Sequence, residues 1–490
     1  MELTQRMMSG NPDSGPGRIE FRADDPSLTR YAGLAVSGEL CRSLRLVELI
    51  DAELCAVDRV APVKQRRRGL SAGGVTVAIS EAQLIGAECF DDLKDVRSDR
   101  AGASLRAVAE TPSPSTARQL AYRFKPSHIR AIERGAARCG NELDRTLGRD
   151  PGEDVSFDLD ATETVVYGRR KRGTGRSRNG HLAYNSYVVT WAQRGRPLTS
   201  ELKGGNQARI KASESLTMIG RAERLLPTGH GEVTVRGDSG FYAVELMVGL
   251  RKRKMRFTLS ATRTSLMWAK LAEIPEDAWE DAIDMRGAQV AELPFTPQGW
   301  THEPLRLVVR RVPVTAAELQ ATSPRARRRK TIPPEQLQMV LDGQLDSTFA
   351  YSFIVTDIPA QQKRTAEVEH FHRHRAQIEE RFKDAKLGQA LRHLPSGNLN
   401  ANRLWLACSL LALNITAWVC DISPAASASG NAPEHTPQRR HAKTLRRILF
   451  CVPGRIVRTA RRIIVRLPKG FPHFEIFNAT YHAALALPGP

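Results

Sequence analysis

The chain has 490 residues and carries 73 Lys and Arg against 53 Asp and Glu, a formal net charge of +20. That length exceeds what one simple core organises, so two or three domains are expected, and a balance this basic points to a polyanionic partner, nucleic acid first. The seven cysteines are widely spaced and form no Cys-x-x-Cys pair, which argues against a disulfide scaffold or a zinc ribbon and suits a reducing cytosol.

Residues 1–30 are polar and rich in Gly and Pro, without an apolar signal core, and are expected to be disordered. Residues 31–150 read as helical. Leu44, Val47, Leu49, Ile50 and Leu54 recur near helical spacing, and a second stretch runs from about Val75 to Leu93. After the break at Thr111 to Thr116, Ser115 or Thr116 offers a cap for the helix carrying Arg118 to Phe124. A helical DNA-binding region fits this span, and plain helical packing explains the same residues. Near residue 151 the texture turns to strands. Val155 to Leu159 alternates, Tyr184 to Trp191 is rich in β-branched and aromatic residues, and Glu232 to Val235 ends at Arg236-Gly237-Asp238. Gly240 then permits a tight turn into an apolar helix from Tyr242 to Leu250.

The expected division is a first core part over 151–250, a β-rich insertion over 251–347 and a second core part over 348–422. In the last, Phe349 to Ile358 is a strong strand and residues 364–388 form a charged amphipathic helix. The apolar stretch Leu404 to Cys420, interrupted by Ser409, Asn414 and Thr416, reads as a buried helix and not a membrane span. Residues 423–438 form a Pro/Ala/Ser linker, and 439–490 form a basic C-terminal region with eleven Lys or Arg and one acid, Glu475. With the clusters at 64–68, 169–178, 251–256 and 325–330, this spread of charge suits a surface that tracks a phosphate backbone.

Three acidic residues in separate segments carry the candidate chemistry. Asp160 and Asp238 follow strand-like runs, and Glu379 lies in the helix-like run. Phosphoryl transfer between DNA strands uses two divalent ions about 4 Å apart, and hard cations such as Mg²⁺ prefer carboxylate oxygens. Asp158 competes with Asp160, because side chains two apart on a strand share a face. Asp160 is preferred as the end of the apolar run. On the helix, His372, Arg375 and Lys386 fall within a stripe of about 60° that includes Glu379, whereas Glu380 points about 100° away. A carboxylate flanked by cations on one face can bind metal while its neighbours hold phosphates, although a surface ion-pair ladder has the same pattern. His370, His372 and His374 imitate a zinc cluster, yet only His370 and His374 share a helix face and no His-Glu-x-x-His is present.

These motifs resemble the DDE transposases of bacterial insertion sequences, in the branch whose last catalytic helix reads Tyr-x2-Arg-x3-Glu-x6-Lys. The same spacing holds here as His372, Arg375, Glu379 and Lys386. The segments Phe157 to Thr162, Val235 to Tyr242 and Arg375 to Leu387 look most like the IS-thirteen-eighty family. The resemblance implies an α/β fold: an RNase H-like mixed sheet flanked by helices and interrupted by a mostly β insertion, with the helical N-terminal region on DNA. It further implies Asp160, Asp238 and Glu379 as the triad for two Mg²⁺ ions, with Mn²⁺ as a substitute, and His372, Arg375 and Lys386 on DNA phosphate. The activity would be cleavage at terminal inverted repeats and transfer into target DNA. It would proceed in a synaptic complex of at least a homodimer, in a bacterial, nucleoid-associated cytoplasmic setting without membrane. A structure-selective nuclease that hydrolyses without joining, and a non-catalytic DNA-binding repressor, are the competing readings. The departure is His372 where the pattern has Tyr.

Overall fold

The computed structural model describes residues 21–60, 62–64, 68–168, 170–177, 179–207, 209–320, 329–375, 390–423 and 440–488. Two layers of structure share the chain: a helical body and a large mixed sheet.

The helical body begins after a two-residue strand, β1 (Leu28–Thr29), with α1 (Leu34–Ser43) and α2 (Leu46–Asp58). β1 lies within the N-terminal stretch read from sequence as disordered. Next come α3 (Ala72–Leu84), started by the Ser71 hydroxyl accepting from Gly74 N at 2.9 Å, and α4 (Pro126–Thr146). Every residue of α3 is buried, as expected of a helix that is apolar all round. The short helix Pro114–Ala121 is capped by Ser113, with Pro114 in its first turn, so it starts before Ser115 and Thr116. The body is closed from the far end of the chain. Helix α8 (Leu399–Ile422; α5 to α7 lie in the sheet layer described next) packs against α3 and α4, and α9 (Phe474–Leu485) against α1. The apolar window of α8 is long enough to cross a membrane, but 94% of it is buried inside the protein.

The sheet layer starts with β2 (Val155–Val165), β3 (Gly175–Arg176), β4 (Leu182–Trp191) and β5 (Arg196–Gly204). It continues through α5 (Ala212–Glu223), β6 (Val233–Gly237), α6 (Val244–Lys252) and β7 (Arg256–Ser260). Strands β8 (Glu280–Asp281), β9 (Gln289–Phe295), β10 (Leu305–Thr315) and β11 (Ser347–Thr356) follow, then α7 (Thr365–Arg373). The strand order is β3-β4-β2-β6-β7-β11-β10-β9-β8, with β5 also on β4. β2, β4 and β5 form an antiparallel meander, β6 runs parallel to β2, and β7 parallel to β6. β11 returns antiparallel onto β7. Strand β7 falls inside the span expected for the insertion, yet it belongs to the central parallel set, and β8 to β10 extend the same sheet.

Alternation explains the two faces of this sheet. Phe157, Leu159, Val235, Phe257, Leu259 and Val355 point one way, into a core closed by α5 and α6 through Met218, Ile219, Leu246 and Met247. The intervening residues, Asp158, Asp160, Arg236, Thr258 and Ser260, therefore share the opposite face. Helix α7 crosses that face, seated by Val368 against Val308 and Ile354.

Candidate active site

Parallel pairing of β2 with β6 places Asp158 opposite Arg236 and Leu159 opposite Gly237. One residue further along both chains come Asp160 and Asp238. β2 does not end at Asp160, as its apolar run suggested, but continues to Val165 on β4. The strand that ends is its neighbour. After Gly237 the chain leaves the sheet, and Asp238 Oδ1 accepts from Gly240 N at 2.8 Å. Both glycines make room. A Cβ on Gly237 would lie 2.9 Å from Leu259 Cδ2, and one on Gly240 would lie 2.9 Å from Asp238 Oδ1. The turn thus needs close approach at Gly240, not a left-handed backbone.

The two aspartates of β2 differ in their partners. Asp158, 2% exposed, takes Arg236 Nε at 2.6 Å and Nη2 at 2.8 Å in a bidentate pair. Burial pushes its carboxyl above the ordinary range, while Arg236, and Arg375 more weakly, pull it down. Arg236 also donates Nη1 to Phe371 O at 2.7 Å and lies 4.8 Å from the Phe371 ring centroid, so one side chain ties β2, β6 and α7 together. Asp160, 8% exposed, accepts from its neighbour Ala161 N at 2.8 Å.

Helix α7 is held by buried charge. Glu369 meets Arg310 Nη1 at 2.5 Å and Arg373 Nε at 3.1 Å. His372 is only 6% exposed, with Nδ1 2.9 Å from Thr258 Oγ1 and Nε2 2.9 Å from Ser260 Oγ. Burial, then Arg375, Arg236 and Arg310, push its pKa down to about 3, so the ring is neutral. The resemblance implied a phosphate contact at this position, whereas both ring nitrogens here are engaged by hydroxyls of β7. His370 faces Asp284 at 3.3 Å and stacks near His374, with centroids 4.3 Å apart. Among the described residues no group of three metal-ligating side chains gathers there. Arg375 follows the end of α7. Glu379 and Lys386 lie outside the described residues.

Sequence reasoning missed Arg236, Glu369, Thr258 and Ser260. A signal for the first existed: Arg236 precedes Asp238 by two residues, as Asp158 precedes Asp160, so aligning the strands on their aspartates pairs the opposite charges.

Asp160 on β2 and Asp238 just past the end of β6 thus follow paired positions of two parallel strands, on an α/β sheet crossed by α7, and carboxylate oxygens are the donors that hard cations prefer. Over residues 15–331 and 335–488 the chain matches the family described as transposase DDE domain group 1, and it belongs to that family. Members of the family are nucleic-acid-cleaving enzymes that generally use divalent metals. No curated protein sequence matches the chain. Among solved structures, a piggyBac transposase in a synaptic complex with hairpin DNA, determined by cryo-EM, aligns with a TM-score of 0.40 and 10% sequence identity, covering 91% of this chain and 83% of that one.

Proposed function

We propose that this chain is a DDE transposase that cleaves and rejoins DNA ends with divalent metal held by Asp160, Asp238 and Glu379. The register that pairs Leu159 with Gly237 supports the reading, because Asp160 and Asp238 are the next residues along the two segments while Asp158 is committed to Arg236. Carboxylate oxygens suit Mg²⁺, with Mn²⁺ as a substitute. Two such ions, when bound, supply Lewis acidity that activates a hydroxyl nucleophile and stabilises the leaving oxygen.

The chain's own contribution is position. The Asp158–Arg236 pair locks β2 to β6 and so fixes the spacing of the two aspartates. Arg236 and Glu369 hold α7 on the sheet, ahead of the segment that carries Glu379. Arg375 and Lys386 are read as phosphate contacts. His372 is read as a positioning residue that seats α7 on β7 as a neutral ring. The sheet path β5-β4-β2-β6-β7, antiparallel then parallel, supports an RNase H-like core, and the motifs support membership of the IS-thirteen-eighty branch. The partners would be the transposon ends and target DNA, paired by at least a homodimer, in a bacterial nucleoid.

The test is excision in cells of a marker placed between the native flanking sequences, with wild type compared against Glu379→Gln, and strand transfer followed with purified protein. Excision by the wild type alone, with end binding retained by the variant, is expected. Normal excision by Glu379→Gln would sink the triad. Cleavage without joining would make the protein a nuclease.

A further inference from the structure

The basic C-terminal region is not a featureless tail. Strands β12 (Gly454–Arg458) and β13 (Ile463–Arg466) belong with β1 to a three-stranded sheet in the order β1-β12-β13, and beyond Arg455 they run as a two-stranded antiparallel ribbon, joined by a tight turn in which Thr459 N donates to Arg462 O at 2.9 Å. The root of the ribbon is rigid. β1 pairs with β12, and Ile456 and Val465 pack with Ala32, Ala35 and Leu105 of the helical body. A Cβ on Gly454 would lie 2.8 Å from Ala32 Cβ, so the backbone there lies tight against that body. The far edge, β13, pairs with no further strand among the described residues.

The ribbon is exposed and its charge is of one sign. From 454 to 469 it carries Arg455, Arg458, Arg461, Arg462, Arg466 and Lys469 and no acid. All six are exposed. Arg455 meets Asp25 at 2.8 Å and Arg458 donates to Ser104 Oγ at 3.0 Å, whereas Arg461, Arg462 and Arg466 make no ion pair with any described residue. Register puts Arg455 directly opposite Arg466, and Val457 opposite Ile464, on the outward face. Like charges facing each other across strands are destabilising on their own, and Ile463 and Ile464, 50% and 39% exposed, sit on an open edge. Such an arrangement is stable in isolation only at a cost, and a polyanion relieves that cost.

We infer that the β12–β13 ribbon is a docking element for duplex DNA that enters the major groove. The inference takes its choice of polyanion from the reading above, but it concerns a surface separate from the carboxylate pair. The dimensions agree. A major groove about 12 Å wide admits a two-stranded ribbon, whose backbones lie about 5 Å apart before side chains are added. The turn arginines then reach phosphates or guanine edges, while Val457 and Ile464 supply the apolar contact that thymine methyls accept. Pairing of β13 with β13 of a second copy is disfavoured, because it would bring Arg466 and the turn residues Arg461 and Arg462 of both copies together with no acid in either ribbon.

The test measures binding of the full-length protein to a fluorescent 30-bp duplex of arbitrary sequence by anisotropy, over a salt series. Wild type is compared with Arg461/Arg462/Arg466→Gln and with the same three positions changed to Lys. Each phosphate contact contributes about 0.9 to the slope of log affinity against log salt, so the Gln variant should lose about 2 to 3 from that slope and at least about tenfold in affinity. The Lys variant should keep the slope, which a merely structural role of the arginines would not predict. Guanine N7 protection from dimethyl sulfate should be present with wild type and lost with the Gln variant. An unchanged slope and footprint in the Gln variant would overturn the inference. So would a loss of self-association in that variant with duplex affinity intact, which would assign the ribbon to a second copy. Asp160→Asn, assayed alongside for cleavage, separates the two ideas: normal cleavage by that variant sinks the triad and leaves the ribbon result standing.

Discussion

Asp158 and Asp160 lie two residues apart on one strand face, and replacing each by Asn separates their roles. Asp158 accepts two charge-assisted hydrogen bonds from Arg236 in a buried setting. Each such bond is worth about 1.5–3 kcal/mol, and breaking a buried pair from one side costs about 3–5 kcal/mol because the other charge stays behind. In Asp158→Asn the stranded charge is Arg236, and the substitution also removes the carboxylate that Arg375 acts on. For a cooperative unit of roughly 200 residues that loss lowers Tm by about 10 °C. Asp160→Asn removes one of the two carboxylates that follow the paired positions and keeps an Oδ1 acceptor for Ala161 N, so its loss of stability should be smaller than that of Asp158→Asn. The assay pairs thermal unfolding followed by circular dichroism with cleavage of an end-containing duplex, at a temperature where both variants are folded. Asp158→Asn should be unstable and retain weakened cleavage, because it loosens the spacing but keeps both aspartates, and Asp160→Asn should be more stable than it but inert. The reverse pattern, or equal destabilisation by both, would refute the division of labour drawn from the register.

Two titrations give opposite signs. The His372 pKa is depressed to about 3, so the unfolded chain binds the extra proton first; the ring's contribution to stability is full above about pH 6.5 and drains as pH falls toward 3. His372→Gln should flatten the pH dependence of urea unfolding between pH 6.5 and 4, and an unchanged slope would show that the ring is solvated. Glu81, buried in α3 with Oε1 accepting from Ala107 N at 2.9 Å, has its pKa raised to about 7, chiefly by burial. Its contribution is full below the ordinary carboxylate value and is lost as pH rises through 7. Glu81→Gln should therefore be more stable than wild type at pH 8.5, by up to about 3 kcal/mol, with the advantage gone at pH 5; a variant less stable at both pH values would contradict this.

The polar face of the sheet was legible because Val155 to Leu159 alternates, and the Asp238 turn because Gly237 and Gly240 flank it. What lay beyond reach depends on neighbours. The sequence of β2 cannot say that its parallel partner stops at Gly237, yet that stop, and not an end of β2, sets the place of Asp160. The spacing of His372 and Arg375 would fix their relative angle on one continuous helix, but the helix expected over 364–388 stops at Arg373, and Arg375 lies in the turn beyond it. Spacing also does not say which side of a helix faces the sheet, and the sheet took His372. Likewise the apolar run of α8 announced burial, but periodicity carries no address, and its partners turned out to be α3 and α4, more than 250 residues upstream in sequence. The ribbon at Gly454–Arg466 was hidden because its arginines read as a tail while its Ile and Val residues, taken alone, read as strands.

Charge around the carboxylates sets one further expectation. Under and beside α7, four arginines (Arg236, Arg310, Arg373 and Arg375) face Asp158 and Glu369, and with Asp160 and Asp238 the cluster is formally neutral. A divalent cation taken up by Asp160 and Asp238 leaves this cluster positive, which favours arrival of a phosphate, and an arriving phosphate favours uptake of the cation. Linkage makes the two effects equal. The Mg²⁺ concentration giving half-maximal cleavage should therefore fall as DNA is raised. Duplex affinity, measured with Ca²⁺ in place of Mg²⁺ in a Glu379→Gln background, should rise with the cation by severalfold, and Asp160→Asn should remove most of that gain. Metal and DNA that bind without regard to each other would mean that the arginines under α7 serve only to fasten the helix, and that the phosphate is held elsewhere.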